Sequence, residues 1–254
     1  MARVGAGRVG VGFPGPGCDH GPVTLLDDDT LAGSAVVANS AMNRERGLAG
    51  VNSYDRELGF NPVDALLPLV SVTGAPDTVA WLDLCCGTGR ALIEAAGLLH
   101  AAGVADRVLV HGVDLVDAFD PAPDVPWLRL TTASVADWKP ERRYDLITSV
   151  HGLHYVGDKL GLLTKAAGWL TDGGRLVADI DLDSVRLEDG RPAGRRLAAH
   201  LRDAGFNYDG RRRRIGRDDR GDVTLPYEYL GADDTAGANY TGQPAVDSYY
   251  RRTP

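Results

Sequence analysis

Lysine is almost missing from this 254-residue chain: Lys139, Lys159 and Lys165 are three of 27 basic residues, and the other 24 are arginine. Positive charge of either kind is in deficit. Acidic residues number 35 and the net charge is −8, the wrong sign for a general nucleic-acid binder, which must neutralise phosphates. Cysteine is scarce too. Cys18, Cys85 and Cys86 are an odd number with two adjacent, and no CxxC or Cys/His ligand spacing occurs. A disulfide framework and a structural zinc are therefore not expected, and no metal is assigned. No apolar run approaches the length of about 18 residues that a membrane span needs. The first 17 residues hold two arginines but no continuous apolar stretch, so they do not read as a secretory signal. The expectation is a cytoplasmic protein, and the sequon Asn239-Tyr240-Thr241 is then without glycosylation context.

What is present is ample apolar material. Hydrophobic residues make up 44% of the chain, enough for one large domain with its own core. The 32 glycines and 14 prolines crowd toward the ends. Residues 1–33, Gly/Pro-rich and then acidic at Asp27-Asp28-Asp29, read as a disordered tail. Residues 34–75 read as a helical cap, with Asn52-Ser53 opening one helix and Asn61-Pro62 another. Apolar residues at 63, 66, 67 and 70 in the latter have helical spacing.

From residue 76 to 254 the rhythm becomes strand, loop, helix. Strands are expected at 78–84, 107–113, 127–130, 144–150 and 175–182, and helices at 91–102, 159–170 and 192–204. A further strand at 223–229 is expected to pair with the segment around 211–215, whose Arg211–Arg214 run reads as a charged edge. Such alternation implies an α/β fold with parallel strands, right-handed crossovers and a doubly wound sheet. Ligands bind beyond the carboxyl ends of strands in such sheets.

The loop after the first strand is Asp83-Leu84-Cys85-Cys86-Gly87-Thr88-Gly89. Gly87 and Gly89 let the backbone approach a ligand and adopt positive φ, and free helix amides face the same space. Asp83 at the strand end is placed to order the loop or accept from a ligand ammonium. Asp114 ends the second strand, where an acid accepts from ribose hydroxyls. A dinucleotide site would need a third glycine where Leu92 stands. The literal GxGxxG at Gly5–Gly10 has no strand before it. The missing third glycine also disfavours a nicotinamide oxidoreductase.

The loop, with its acidic residue and GxG core, resembles the first motif of class I S-adenosylmethionine-dependent methyltransferases. The similarity extends over residues 78–182 as an ordered series of motifs, with Cys85 in place of the usual first glycine. The resemblance implies a Rossmann-like, mostly parallel seven-stranded sheet with helices on both faces and an N-terminal helical cap. It implies bound S-adenosylmethionine, with S-adenosylhomocysteine as product. Asp83, Cys85, Gly87, Thr88, Gly89, Asp114 and Leu115 would form the cofactor cradle. Ser134 and Val135 would meet the adenine, Asp137 being an alternative acceptor, while Trp138 reads as core. Ser149 belongs to the fourth motif, and Tyr54 with Arg56 would close over the cofactor as a lid.

Past the fourth strand, Ser149-x-His151-x-x-His154 is similar to the C-methyltransferases of aminocoumarin antibiotic biosynthesis, whose general base corresponds to His154. Those enzymes carry an arginine where Val150 stands here. Histidine titrates near neutrality and suits proton removal from an acidic nucleophile. His154 is the first candidate for base and His151 the second, although methyl transfer also runs on alignment alone. The expected partner is a small-molecule acceptor, with O, N or C as nucleophile, and neither nucleic acid nor membrane. A non-methylating use of the same cofactor, such as cyclisation, is the alternative. Residues 239–250 are placed to cover the site or the interface of a homodimer.

Overall fold

The computed structural model describes residues 23–38, 45–71 and 78–254. Its elements are, in chain order, α1 (Asp28–Ala32), α2 (Ala35–Ala38), α3 (Tyr54–Leu58), α4 (Pro62–Ser71), β1 (Val79–Leu84), α5 (Arg90–Ala101), β2 (Val108–Asp114), β3 (Leu128–Thr132), β4 (Tyr144–Ser149), α6 (Lys159–Gly168), β5 (Leu170–Asp179), β6 (Val185–Leu187), α7 (Gly194–Asp203), β7 (Asn207–Asp209), β8 (Arg214–Asp218), β9 (Tyr227–Asp233) and β10 (Asp247–Arg252).

Seven strands form one sheet in the order β3-β2-β1-β4-β5-β8-β7. β1 to β5 run parallel, while β8 is antiparallel to both β5 and β7. This is the α/β, doubly wound, Rossmann-like architecture expected, and the order reverses between β1 and β4. Every residue of β1 is buried, as a strand covered on both faces must be. Its side chains alternate between two cores. Val79 and Trp81 pack with Val63, Leu66 and Val70 of α4 and with Leu92 and Leu99 of α5. Ala80, Leu82 and Leu84 pack with Leu160 and Leu163 of α6 and with Leu197 and Leu201 of α7.

Three local expectations are corrected. Residues 23–33 are not a tail. Asp27 caps α1 by accepting from Thr30 N at 2.8 Å, Leu31 is buried, and Leu26 pairs with Ala232. The acidic run that suggested disorder is a helix N-terminus, where carboxylates are favourable; residues 1–22 lie outside the described residues. In the cap, α3 and α4 pack against one face of the main core. The strand expected at 223–229 begins at Tyr227 and pairs with β10, not with 211–215, in a second sheet ordered β6-β10-β9. Finally, Arg214 lies in β8, which has a partner on each side, so the basic run is not the sheet edge; β7 is.

Candidate functional site

The turn from β1 into α5 is built by backbone geometry that the side chains tolerate unevenly. Gly89 begins α5 in the left-handed region, at φ 74°. A Cβ there would lie 3.1 Å from Leu130, so glycine answers both to the turn and to β3. Cys85 stands at φ 60°, keeping the left-handed conformation in spite of its side chain, at a cost of roughly 1–2 kcal/mol. Burial pushes the Cys85 and Cys86 thiols well above their ordinary range, which leaves neither as a nucleophile.

Asp114 at the end of β2 ties this turn down. Its Oδ2 accepts from Gly87 N at 2.8 Å and its Oδ1 from Val116 N at 3.0 Å. The carboxylate thus stands beside the glycine loop in a cavity of about 750 Å³, part of it open to solvent. Cys85, Gly87, Asp114, Leu115, Ser134, Val135, Val150 and His151 all line that cavity. The sequence-derived cradle is therefore largely one place in space. Its cover differs from expectation. Asp28, Leu31, Ala32 and Val37 of the N-terminal helices face the cavity, whereas Tyr54 is buried elsewhere and Arg56 is exposed.

Several expected cofactor residues do not line the cavity. Asp83 is fully buried, accepting from Tyr54 Oη at 2.6 Å and from Thr148 Oγ1, which in turn accepts from Trp81 Nε1 at 2.8 Å. Burial raises the Asp83 carboxyl to about 7 against these hydrogen bonds. It orders the loop from behind. Thr88 is buried with its hydroxyl 3.3 Å from Asp120. Ser149 is buried with no partner for its hydroxyl and lies against Gly152, where a Cβ would meet its Oγ at 2.7 Å.

The two histidines part company. His151, at φ 58° just past β4, lines the cavity. His154 sits in the following helical turn with its ring edge-on to Tyr240, centroids 5.4 Å apart. Burial drives the His154 imidazole down to about 3, so it stays neutral and weakly basic.

Glu57 and Asp179 complete this end of the site and were missed in the sequence. Glu57 Oε2 lies 3.3 Å from His151 Nε2, and Glu57 Oε1 lies 3.4 Å from Arg46. Asp179, the last residue of β5, accepts from the His151 backbone at 3.3 Å, and burial raises its carboxyl to about 6. Its strand-end position was a usable signal, but the fifth strand was expected to run past it to residue 182. Tyr240 was not singled out, although it falls in the 239–250 segment expected to cover the site or an interface. It lies over the histidines with Arg213 stacked on its ring at 4.2 Å, reached by a loop whose path the local sequence does not encode.

The strand order and the cavity at the β1/β4 reversal define the class: a Rossmann-like domain with a nucleoside-sized site at its strand ends. A family model described as a methyltransferase domain matches residues 54–213, and the chain belongs to that family. No curated protein matches it in sequence. Among solved structures it is similar to magnesium protoporphyrin IX methyltransferase from Synechocystis PCC 6803, at 16% identity over 77% of this chain and 98% of that one, TM-score 0.45. It is also similar to coclaurine N-methyltransferase, at 15% identity over 59% and 42% of the chains, TM-score 0.37. A third is an amino pentose methyltransferase of calicheamicin biosynthesis from Micromonospora echinaspora, at 21% identity over 51% of each chain, TM-score 0.37. The chain spans about half the length of these last two structures.

Proposed function

We propose that this protein uses S-adenosylmethionine to methylate an O, N or C nucleophile of a small molecule, of the kind made in specialised metabolism. Family membership supports the chemistry. The observation that carries the cofactor assignment is the cavity in which the Asp114 carboxylate stands beside the Gly87 loop and across from Ser134 and Val135.

The donor set fits the group. Asp114 would accept from the ribose hydroxyls, the Cys85–Gly87 backbone would lie against the amino acid portion, and Val135 would pack on the adenine while Ser134 meets its polar edge. When bound, the cofactor supplies a methyl carbon made electrophilic by its sulfonium. The protein's task is then to align a nucleophile and exclude water. Leu31, Ala32 and Val37 provide apolar cover for the second task. At the acceptor end we assign His151 in preference to His154, because His151 reaches the cavity wall while His154 is sealed beneath Tyr240. Among the described residues no helix is long and apolar enough to cross a membrane.

Calorimetric titration with S-adenosylhomocysteine tests the cofactor assignment. One-to-one binding is expected, and Asp114→Ala should weaken it by roughly 10- to 100-fold, as loss of a charged hydrogen-bond partner predicts. A folded wild-type protein that does not bind the nucleoside would overturn the reading. Transfer of labelled methyl from S-adenosylmethionine into a small molecule of a cell extract is the expected sign of turnover.

A further inference from the structure

Three side chains from three elements converge beyond the ends of β4 and β5. Glu57 comes from α3, His151 from the turn after β4 and Asp179 from the end of β5. One ligand-type atom from each lies within 4.8 Å of the others, and two of the three residues are buried. The contact between His151 Nε2 and Glu57 Oε2, at 3.3 Å, is not aligned as a hydrogen bond, and neither ring nitrogen of His151 has a hydrogen-bond partner. An unpaired buried polar group costs about 1–3 kcal/mol. Here it faces two carboxylates. Arg46 takes only one oxygen of Glu57 and leaves the other toward the imidazole.

We propose that Glu57, His151 and Asp179 form a binding site for a first-row divalent cation, zinc or manganese, at the acceptor end of the cavity. One imidazole nitrogen and two carboxylate oxygens are donors that suit these ions, and carboxylates would surrender their mutual repulsion to a cation. Three protein ligands leave coordination positions open, as catalytic rather than structural sites do. His151 also forms part of the cavity wall, so the open positions adjoin the space assigned to the acceptor. Metal-ligand spacing is absent from the sequence because the three ligands come from distant positions and meet only when α3 packs over β5.

The acceptor class follows if the methyl-transfer reading holds, and this part rests on it. A cation with adjacent open positions selects an acceptor with two neighbouring oxygen donors, such as a vicinal diol or a hydroxycarbonyl. Coordination lowers the pKa of the bound hydroxyl. Its O–H bond breaks, the electron pair stays on oxygen, and the proton passes to solvent.

Chelator-stripped protein titrated calorimetrically with zinc chloride, and separately with manganese chloride, tests the site. One equivalent of one of them should bind. Glu57→Gln and His151→Asn should each weaken binding at least about tenfold, while Glu57→Gln keeps its affinity for S-adenosylhomocysteine, which certifies its fold. Wild-type protein that binds the nucleoside but takes up neither metal, or uptake that neither substitution disturbs, overturns the proposal. Metal uptake without nucleoside binding supports the site and overturns the methyl-transfer reading instead.

Discussion

His111 and His151 are equally buried and belong to opposite kinds of region. His111, in β2, has both ring nitrogens occupied, one 2.8 Å from Tyr144 Oη and the other 3.0 Å from Thr131 Oγ1. Trp138 meets its ring edge-on. His151, past β4, has neither nitrogen in an aligned hydrogen bond and holds a left-handed backbone, uncommon for any residue but glycine. The first region is finished: polar groups there are paired and serve the fold. The second carries unpaired groups and backbone strain, which a protein retains where a ligand will supply the missing partner. Asp83 and Asp179 repeat the contrast. Both are strand-end carboxyls raised by burial, but Asp83 accepts from the hydroxyls of Tyr54 and Thr148, while Asp179 accepts from the His151 backbone at 3.3 Å, beside a ring with no aligned hydrogen bond.

The contrast can be attacked at four points. Gly152→Ala should have the largest effect, because the added Cβ would run into the side chain of Cys85 and lie 2.7 Å from Ser149 Oγ and 3.0 Å from Leu84 O. Overpacking of this kind costs about 1–3 kcal/mol, so urea unfolding should show a lowered midpoint together with weakened nucleoside binding. A midpoint equal to wild type would mean the strained loop yields freely.

The second point is the pH dependence of Asp83. Its folded-state value, about 7, lies above its ordinary 3.8, so between these values the folded state holds more proton than the unfolded one. The stability from Asp83 is therefore full below about pH 4 and is lost as pH rises through 7. Melting temperatures of wild type and Asp83→Asn should diverge over that range, the wild type losing several degrees more by pH 8. Parallel curves would show the carboxyl is not so perturbed.

Third, Tyr144→Phe removes one partner of His111 and should cost about 1–2 kcal/mol in chemical denaturation. The smallest effect, and opposite in sign, belongs to His151→Asn. Asparagine visits the left-handed region more readily than most side chains, and the ring gives up no aligned hydrogen bond, only its 3.3 Å contact with Glu57. Stability should rise by about 0.5 kcal/mol. A loss as large as that of Tyr144→Phe would place His151 among the structural residues and erase the distinction.

Much of the cavity assigned to the cofactor was readable before folding. Gly87, Gly89, Asp114, Ser134 and Val135 lie at the ends of apolar strands in chain order, and a doubly wound sheet brings such ends together by rule. The acceptor side was readable only in its histidines. Glu57 lies in a short helix of ordinary composition, and nothing in its neighbourhood announces that α3 will lean over β5. Asp83 misled for a related reason. A strand-end acid looks the same whether it points to a ligand or to Tyr54, which approaches from 29 residues earlier.

Strand periodicity, the glycine loop and the placement of acids thus determined the architecture and where a nucleoside would lie, because each depends on a few neighbouring residues and their backbone preferences. Tertiary packing alone decided which buried polar groups acquired partners. Partnering is a property of distances between remote segments: α1 over the cavity, α3 beside His151, and the loop that brings Tyr240 across both histidines.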